Sequence, residues 1–123
     1  MENKIKISPF EDGLVVKFYG EVDSDKTQLY RFKIRDEMIK YGPKYLLFDF
    51  KDTTFLDSSG IGLILGRYNE ISKVRGVVGV MHLNTYIKKI INISGLFQVM
   101  EEYSSLNDFK KKVGVNLWQI KWK

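Results

Sequence analysis

The feature that most constrains this chain is a strand-length apolar run that ends at the mouth of a helix. Tyr45-Leu46-Leu47-Phe48-Asp49-Phe50 has the length and aromatic content of a strand covered on both faces. Polar Lys51-Asp52-Thr53-Thr54 is expected to end it. Beyond Phe55-Leu56, the stretch Asp57-Ser58-Ser59-Gly60 puts side-chain acceptors in front of a helix, whose first-turn N–H groups lack partners. Ile61, Ile64, Leu65, Tyr68 and Ile71 follow at three- and four-residue spacing, which makes one apolar helix face.

This arrangement sets the Ser58 and Ser59 hydroxyls at the positive end of a helix dipole, beside free backbone donors. A phosphate there is well placed. The simpler reading is that these residues only cap the helix. Capping leaves Gly60, Gly62 and Gly66 unexplained, because each interior glycine costs about 0.5–1 kcal/mol relative to alanine. Something is expected to pack very close to them, either the protein's own sheet or another protein's backbone.

On the N-terminal side, Lys4 to Ser8 alternates charge with isoleucine and reads as an edge strand. Pro9 and the Glu11-Asp12-Gly13 turn join it to a second strand, Leu14-Val15-Val16-Lys17-Phe18-Tyr19, which Gly20 is expected to end. Asp23 or Ser24 caps a helix that runs to Tyr41 and stops at Gly42-Pro43. Tyr30, Ile34, Met38 and Tyr41 form its inward face, while Leu29, Phe32 and Ile39 lie nearly opposite. That second face either has a cover of its own or consists of scattered surface apolars.

Towards the C-terminus, the serine helix is expected to end near Gly76, with a strand from Val77 to Leu83. Asn84 or Thr85 then caps a helix through about Ile93, with Ile87, Ile90 and Ile91 inward and Ser94-Gly95 at its end. Gln98 to Tyr103 reads as a strand. Ser104 or Ser105 caps a last helix, held down by Phe109 and Val113 and ended by Gly114. The order β-β-α-β-α-β-α-β-α implies an α/β fold with a mixed, largely parallel sheet and right-handed crossovers. Trp118, Ile120 and Trp122 alternate with Gln119, Lys121 and Lys123, as in a short extra strand whose apolar side docks on the first helix near Leu29 and Phe32 or on a second copy.

At 123 residues and 44% hydrophobic content the chain suits one domain. No apolar run approaches the roughly 20 residues of a membrane helix, and Met1-Glu2-Asn3-Lys4 opens no signal peptide; a cytoplasmic location is expected. The net charge of +5 resides at the C-terminus. Residues 110–123 carry Lys110, Lys111, Lys112, Lys121 and Lys123 without an acid, and the other 109 residues balance 15 basic against 15 acidic groups. A solvated tail fits this better than a nucleic-acid surface.

Enzyme chemistry finds little support. There are no cysteines, which excludes thiol chemistry and disulfides. His82 is the only histidine, too few for a histidine-based metal cluster, and its place at an apolar strand end suits a structural role. The nucleophile elbow Gly-x-Ser-x-Gly and the Walker A loop are absent. Asp49, Asp52 and Asp57 cluster in sequence, as turn formers and caps commonly do. No cofactor or metal is expected.

The run from Phe55 to Tyr68, together with Gly20-Glu21-Val22-Asp23 and Ser94-Gly95-Leu96-Phe97, resembles the anti-sigma factor antagonists of the STAS domain family, in particular those of the sporulation type. The likeness extends to about Val115 and implies one STAS domain over residues 1–115, followed by a basic, Trp-containing extension at 116–123. In that family the first serine of Asp-Ser-Ser-Gly, here Ser58, is phosphorylated by the anti-sigma factor, which is itself a serine kinase. A PP2C-type serine phosphatase reverses the modification. The resemblance implies that the unphosphorylated form binds the anti-sigma factor through Glu21, Asp23, Asp57, Ser58, Ser59, Gly60 and Gly62 and frees the sigma factor. It implies neither enzymatic activity nor direct nucleic-acid or membrane binding. Two alternatives are an antagonist of a stress-type anti-sigma factor and a STAS scaffold indifferent to phosphorylation.

Overall fold

The computed structural model describes residues 4–114. Five strands form one sheet in sequence order: β1 (Lys4–Phe10), β2 (Gly13–Val22), β3 (Tyr45–Leu56), β4 (Val77–Met81) and β5 (Glu101–Tyr103). β1 and β2 make an antiparallel hairpin, and every later neighbour is parallel. The helices α1 (Ser24–Tyr41), α2 (Ser58–Ser72), α3 (Thr85–Ser94) and α4 (Leu106–Val113) alternate with the strands as expected. The C-terminal strand expected around Trp118 and Trp122 lies outside the described residues.

Successive side chains of β3 point to opposite faces, and each face has its own core. Leu46, Phe48 and Phe50 join Leu14, Val16 and Phe18 of β2 on the front, under Tyr30 and Ile34 of α1, Leu63, Ile64 and Ile71 of α2, and Ile87 and Ile91 of α3. Leu47, Met81 and Tyr103 meet Phe109 of α4 on the back. Leu46 through Phe50 are accordingly buried without a break, as a doubly covered strand requires.

Several boundaries differ from expectation. Lys51-Asp52-Thr53-Thr54 does not end β3, and Gly20 does not end β2. The two strands run on side by side to Val22 and Leu56, through register shifts at Lys17/Tyr19 and Gly20/Glu21. Gly20 takes φ 78°, open to glycine at no steric cost, as the ladder changes register. The polar side chains are used within the sheet: Lys17 Nζ pairs with Asp52 Oδ2 at 3.0 Å, and the Thr53 hydroxyl donates to the Phe18 carbonyl at 3.0 Å. β5 is only three residues long, because Leu96–Gln98 form a turn of 3-10 helix that drives Leu96 and Met100 into the front core. β4 stops at Met81, where His82 turns the chain out of the sheet with φ 60°. α2 ends at Ser72, short of Gly76.

The buried helix faces also differ from expectation. α1 buries Thr27, Tyr30 and Ile34, but Tyr41 at its last position is exposed. Leu29, Phe32 and Ile39 are 53%, 70% and 80% exposed, so the second apolar face has no cover among the described residues. On α2 the inward stripe is Gly60, Leu63, Ile64, Arg67 and Ile71, with Leu65 exposed. Arg67 is buried. Its Nε donates to Glu70 Oε1 at 2.8 Å, and Arg35 Nε lies 3.6 Å from the other oxygen of Glu70.

Candidate functional site

The ends of β2 and β3 bring the serine motif and the loop before α1 together. Val22 pairs with Leu56, and the Asp57 N–H reaches the Val22 carbonyl at 3.4 Å. Asp57, not either serine, caps α2. Its Oδ1 accepts the N–H groups of Ser59 at 3.0 Å and Gly60 at 3.1 Å, and also the Ser59 hydroxyl. Burial pushes the Asp57 carboxyl up, but hydrogen bonds from the Ser59 hydroxyl and from the Gly60, Ser59 and Ser24 N–H groups outweigh it. They hold the group below the ordinary 3.8 and therefore ionised.

This division of labour separates the two serines. Ser59 is half-buried and tied to Asp57 across the first turn. Ser58 is the first residue of α2, is exposed, and its hydroxyl meets no hydrogen-bond partner among the described residues. One expectation is corrected. The Ser59 and Gly60 N–H groups are not free for a phosphate, because the Asp57 carboxylate already occupies them. A phosphate on Ser58 would face outward, beside an ionised carboxylate.

Asp23 caps α1, accepting the Asp25 N–H at 3.1 Å, and pairs with Lys26 Nζ at 3.1 Å. Its carboxylate is thus already partnered, although the Val22–Ser24 backbone touches Asp57. Glu21 is exposed on β2, opposite Phe55 in the ladder.

The three glycines divide into two kinds. A Cβ on Gly60 would come within 2.5 Å of Leu56 Cδ1 and 3.1 Å of the Val22 carbonyl oxygen. The protein's own sheet therefore accounts for Gly60. A Cβ on Gly62 or Gly66 would meet nothing within 4 Å, so nothing in this fold requires a glycine at either place.

Sequence reasoning missed the contribution of α3. Leu56, Ile61, Ile90 and Ile93 line an apolar groove of about 410 Å³, with Asp57 and Ser58 on its lining. Ile93 is 77% exposed. The available signal was that Ile93 falls off the Ile87–Ile91 stripe, which leaves a large apolar side chain without a place in the core.

Possible catalytic groups lie apart. Asp49 Oδ1 holds His82 Nδ1 at 2.8 Å, Asp52 pairs with Lys17, and Asp57 is engaged as a cap. The three carboxylates that cluster in sequence thus serve three separate structural contacts. Among the described residues, no helix is long and apolar enough to cross a membrane.

The STAS domain model matches residues 4–109. The chain belongs to the STAS domain family. This STAS domain is 29% identical over 105 residues to the anti-sigma F factor antagonist of Paenibacillus polymyxa, covering 85% of this chain and 90% of the relative. It is 29% identical over 83 residues to the protein of the same name from Lysinibacillus sphaericus, covering 68% and 71%. Among solved structures, unphosphorylated SpoIIAA, an anti-sigma factor antagonist, superposes with a TM-score of 0.78 at 24% identity, covering 90% of this chain and 97% of that one. A putative anti-sigma factor antagonist from Thermotoga maritima gives 0.82 at 16% identity, covering 89% and 94%. At these identities the structures establish a shared fold, a single α/β STAS domain with a five-stranded mixed sheet.

Proposed function

We propose that this STAS domain is an anti-sigma factor antagonist whose partner binding is switched by phosphorylation of Ser58. The observation that carries the reading is the contrast at the start of α2. Asp57, Ser59 and Gly60 are committed to the fold, whereas Ser58 presents a free, exposed hydroxyl beside an apolar groove. The curated relatives named anti-sigma F factor antagonists support the functional class.

In this reading the unphosphorylated surface around Ser58 meets an anti-sigma factor that is itself a serine kinase, and the sigma factor is released. Glu21, Asp23 and Gly62 flank the contact, and the bare backbone at Gly62 gives the partner close approach. The kinase transfers the γ-phosphoryl group of ATP to Ser58 Oγ, which loses its proton as ADP departs. The product carries about −1.5 to −2 additional charge. No unused first-turn donor at Ser59 or Gly60 receives that charge, and Asp57 is ionised beside it. Repulsion and bulk then both oppose rebinding until a PP2C-type phosphatase removes the group. The setting is transcriptional control of sporulation in the cytoplasm.

Binding of the anti-sigma factor, measured calorimetrically, tests the switch. Ser58→Ala should bind about as tightly as the unphosphorylated protein, and Ser58→Asp should lose at least tenfold in affinity, about 1.4 kcal/mol. Equal affinities for all three would contradict the switch.

A further inference from the structure

α1, at 18 residues, is the longest helix among the described residues, and its outward face is largely apolar. Tyr30 and Ile34 hold the helix to the sheet, while Leu29, Phe32 and Ile39 are exposed. With Asp36 these three follow one another at intervals of three, four and three residues. That spacing is the seam of a two-helix coiled coil, here with three apolar places and one charge.

The seam reads the same from both ends. Leu29 and Ile39 stand five residues either side of Ile34, and Phe32 and Asp36 stand two either side. A second copy of α1 laid antiparallel therefore sets Leu29 against Ile39 of that copy and Phe32 against its Asp36. Each contact is made twice, as in any two-fold interface. Lys33, next to Phe32, comes within reach of the same aspartate, so two lysines and two aspartates gather about the two-fold axis. Among the described residues no ion pair engages Lys33 or Asp36 within the chain. The second copy thus answers the one charge that interrupts the apolar stripe, whereas an anionic bilayer surface would repel it.

We propose that the outward face of α1 is a self-association surface, on which two copies pair antiparallel through Leu29, Phe32 and Ile39, with Lys33 and Asp36 setting the register. Each copy contributes one helix face, which is small for a specific interface, so the dimer is weak. A single polar residue in such a seam lowers stability and fixes register. The N-terminus of α1 lies beside Asp57, whose carboxylate accepts the Ser24 N–H. Ser24 stands ten residues from the midpoint at Ile34, so the two copies of Ser24 are about 30 Å apart at 1.5 Å of rise per residue. Both Ser58 hydroxyls stay outside the contact, one towards each end, and the pairing does not depend on their phosphorylation.

Sedimentation velocity on the full chain, from about 1 μM to about 1 mM, tests this. Wild type should pass from monomer towards dimer across that range. Lys33→Asp or Asp36→Lys alone gathers four like charges about the axis and should raise the dimer dissociation constant about tenfold or more. The double variant Lys33→Asp/Asp36→Lys should dimerise as wild type does. An equimolar mixture of the two single variants should also dimerise, because one then supplies only acids at these positions and the other only lysines. Wild type that stays monomeric throughout would give the face to another occupant and overturn the proposal. So would a dimer that ignores both charge reversals, or reversals left unrepaired in the double variant or in the mixture.

Discussion

Asp57 shows how one side chain both builds and biases the site. Its carboxylate takes two first-turn N–H groups and the Ser59 hydroxyl, so Asp57→Ala should cost about 1 kcal/mol in urea denaturation. Asp57→Asn should retain most of the cap, since asparagine ranks with aspartate there. The two differ in pH dependence. The folded carboxyl titrates below 3.8, so its contribution is complete above the unfolded value and is lost as pH falls through the lower, folded value. Acidification past 3.8 should therefore weaken wild type more steeply than Asp57→Asn, which denaturation midpoints across pH 3–5 will show. At this scale the sequence was legible in kind but not in assignment. Asp57, Ser58 and Ser59 all read as caps, and only the three-dimensional turn decides that Asp57 takes the donors and leaves Ser58 exposed.

Among the elements, α2 carries the candidate site, and its glycines divide into one that the fold requires and two that it does not. Gly60→Ala forces a Cβ against Leu56 and Val22 and should destabilise the fold. Gly62→Ala and Gly66→Ala have open space and should each stabilise it by about 0.5–1 kcal/mol through helix propensity. Gly62→Ala should nevertheless weaken anti-sigma factor binding. Denaturation and calorimetry on the same variants check both halves, and unaltered binding by Gly62→Ala would remove Gly62 from the contact. Sequence pattern located α2 and, in Ile61, Ile64, Tyr68 and Ile71, most of its core face, but it also set exposed Leu65 there. Leu65 counted as apolar and Arg67 as polar, whereas burial follows the stripe that begins at small Gly60 and closes over Arg67 through Glu70.

For the whole molecule, strand and helix order followed from periodicity, and the unbroken burial of Leu46 to Phe50 matched the apolar run. The parts not legible depend on neighbours far along the chain. β3 continues through polar residues because β2 runs beside it, β5 is shortened because Leu96 and Met100 are drawn into the front core, and Ile93 comes to line the same groove as Ser58 only once α3 is laid against the sheet. The same sheet sets exposed Ser58 beside the apolar groove of Leu56, Ile61, Ile90 and Ile93, and the proposed phosphorylation-controlled docking surface rests on that placement. The most direct measurement is the intact mass of the chain after incubation with Mg-ATP and an anti-sigma factor kinase from its host, alongside Ser58→Ala and Ser59→Ala. Gain of one phosphoryl group by wild type and Ser59→Ala, and none by Ser58→Ala, is the predicted result. No gain by wild type in the presence of a demonstrably active kinase, or a gain by Ser58→Ala, would contradict the account.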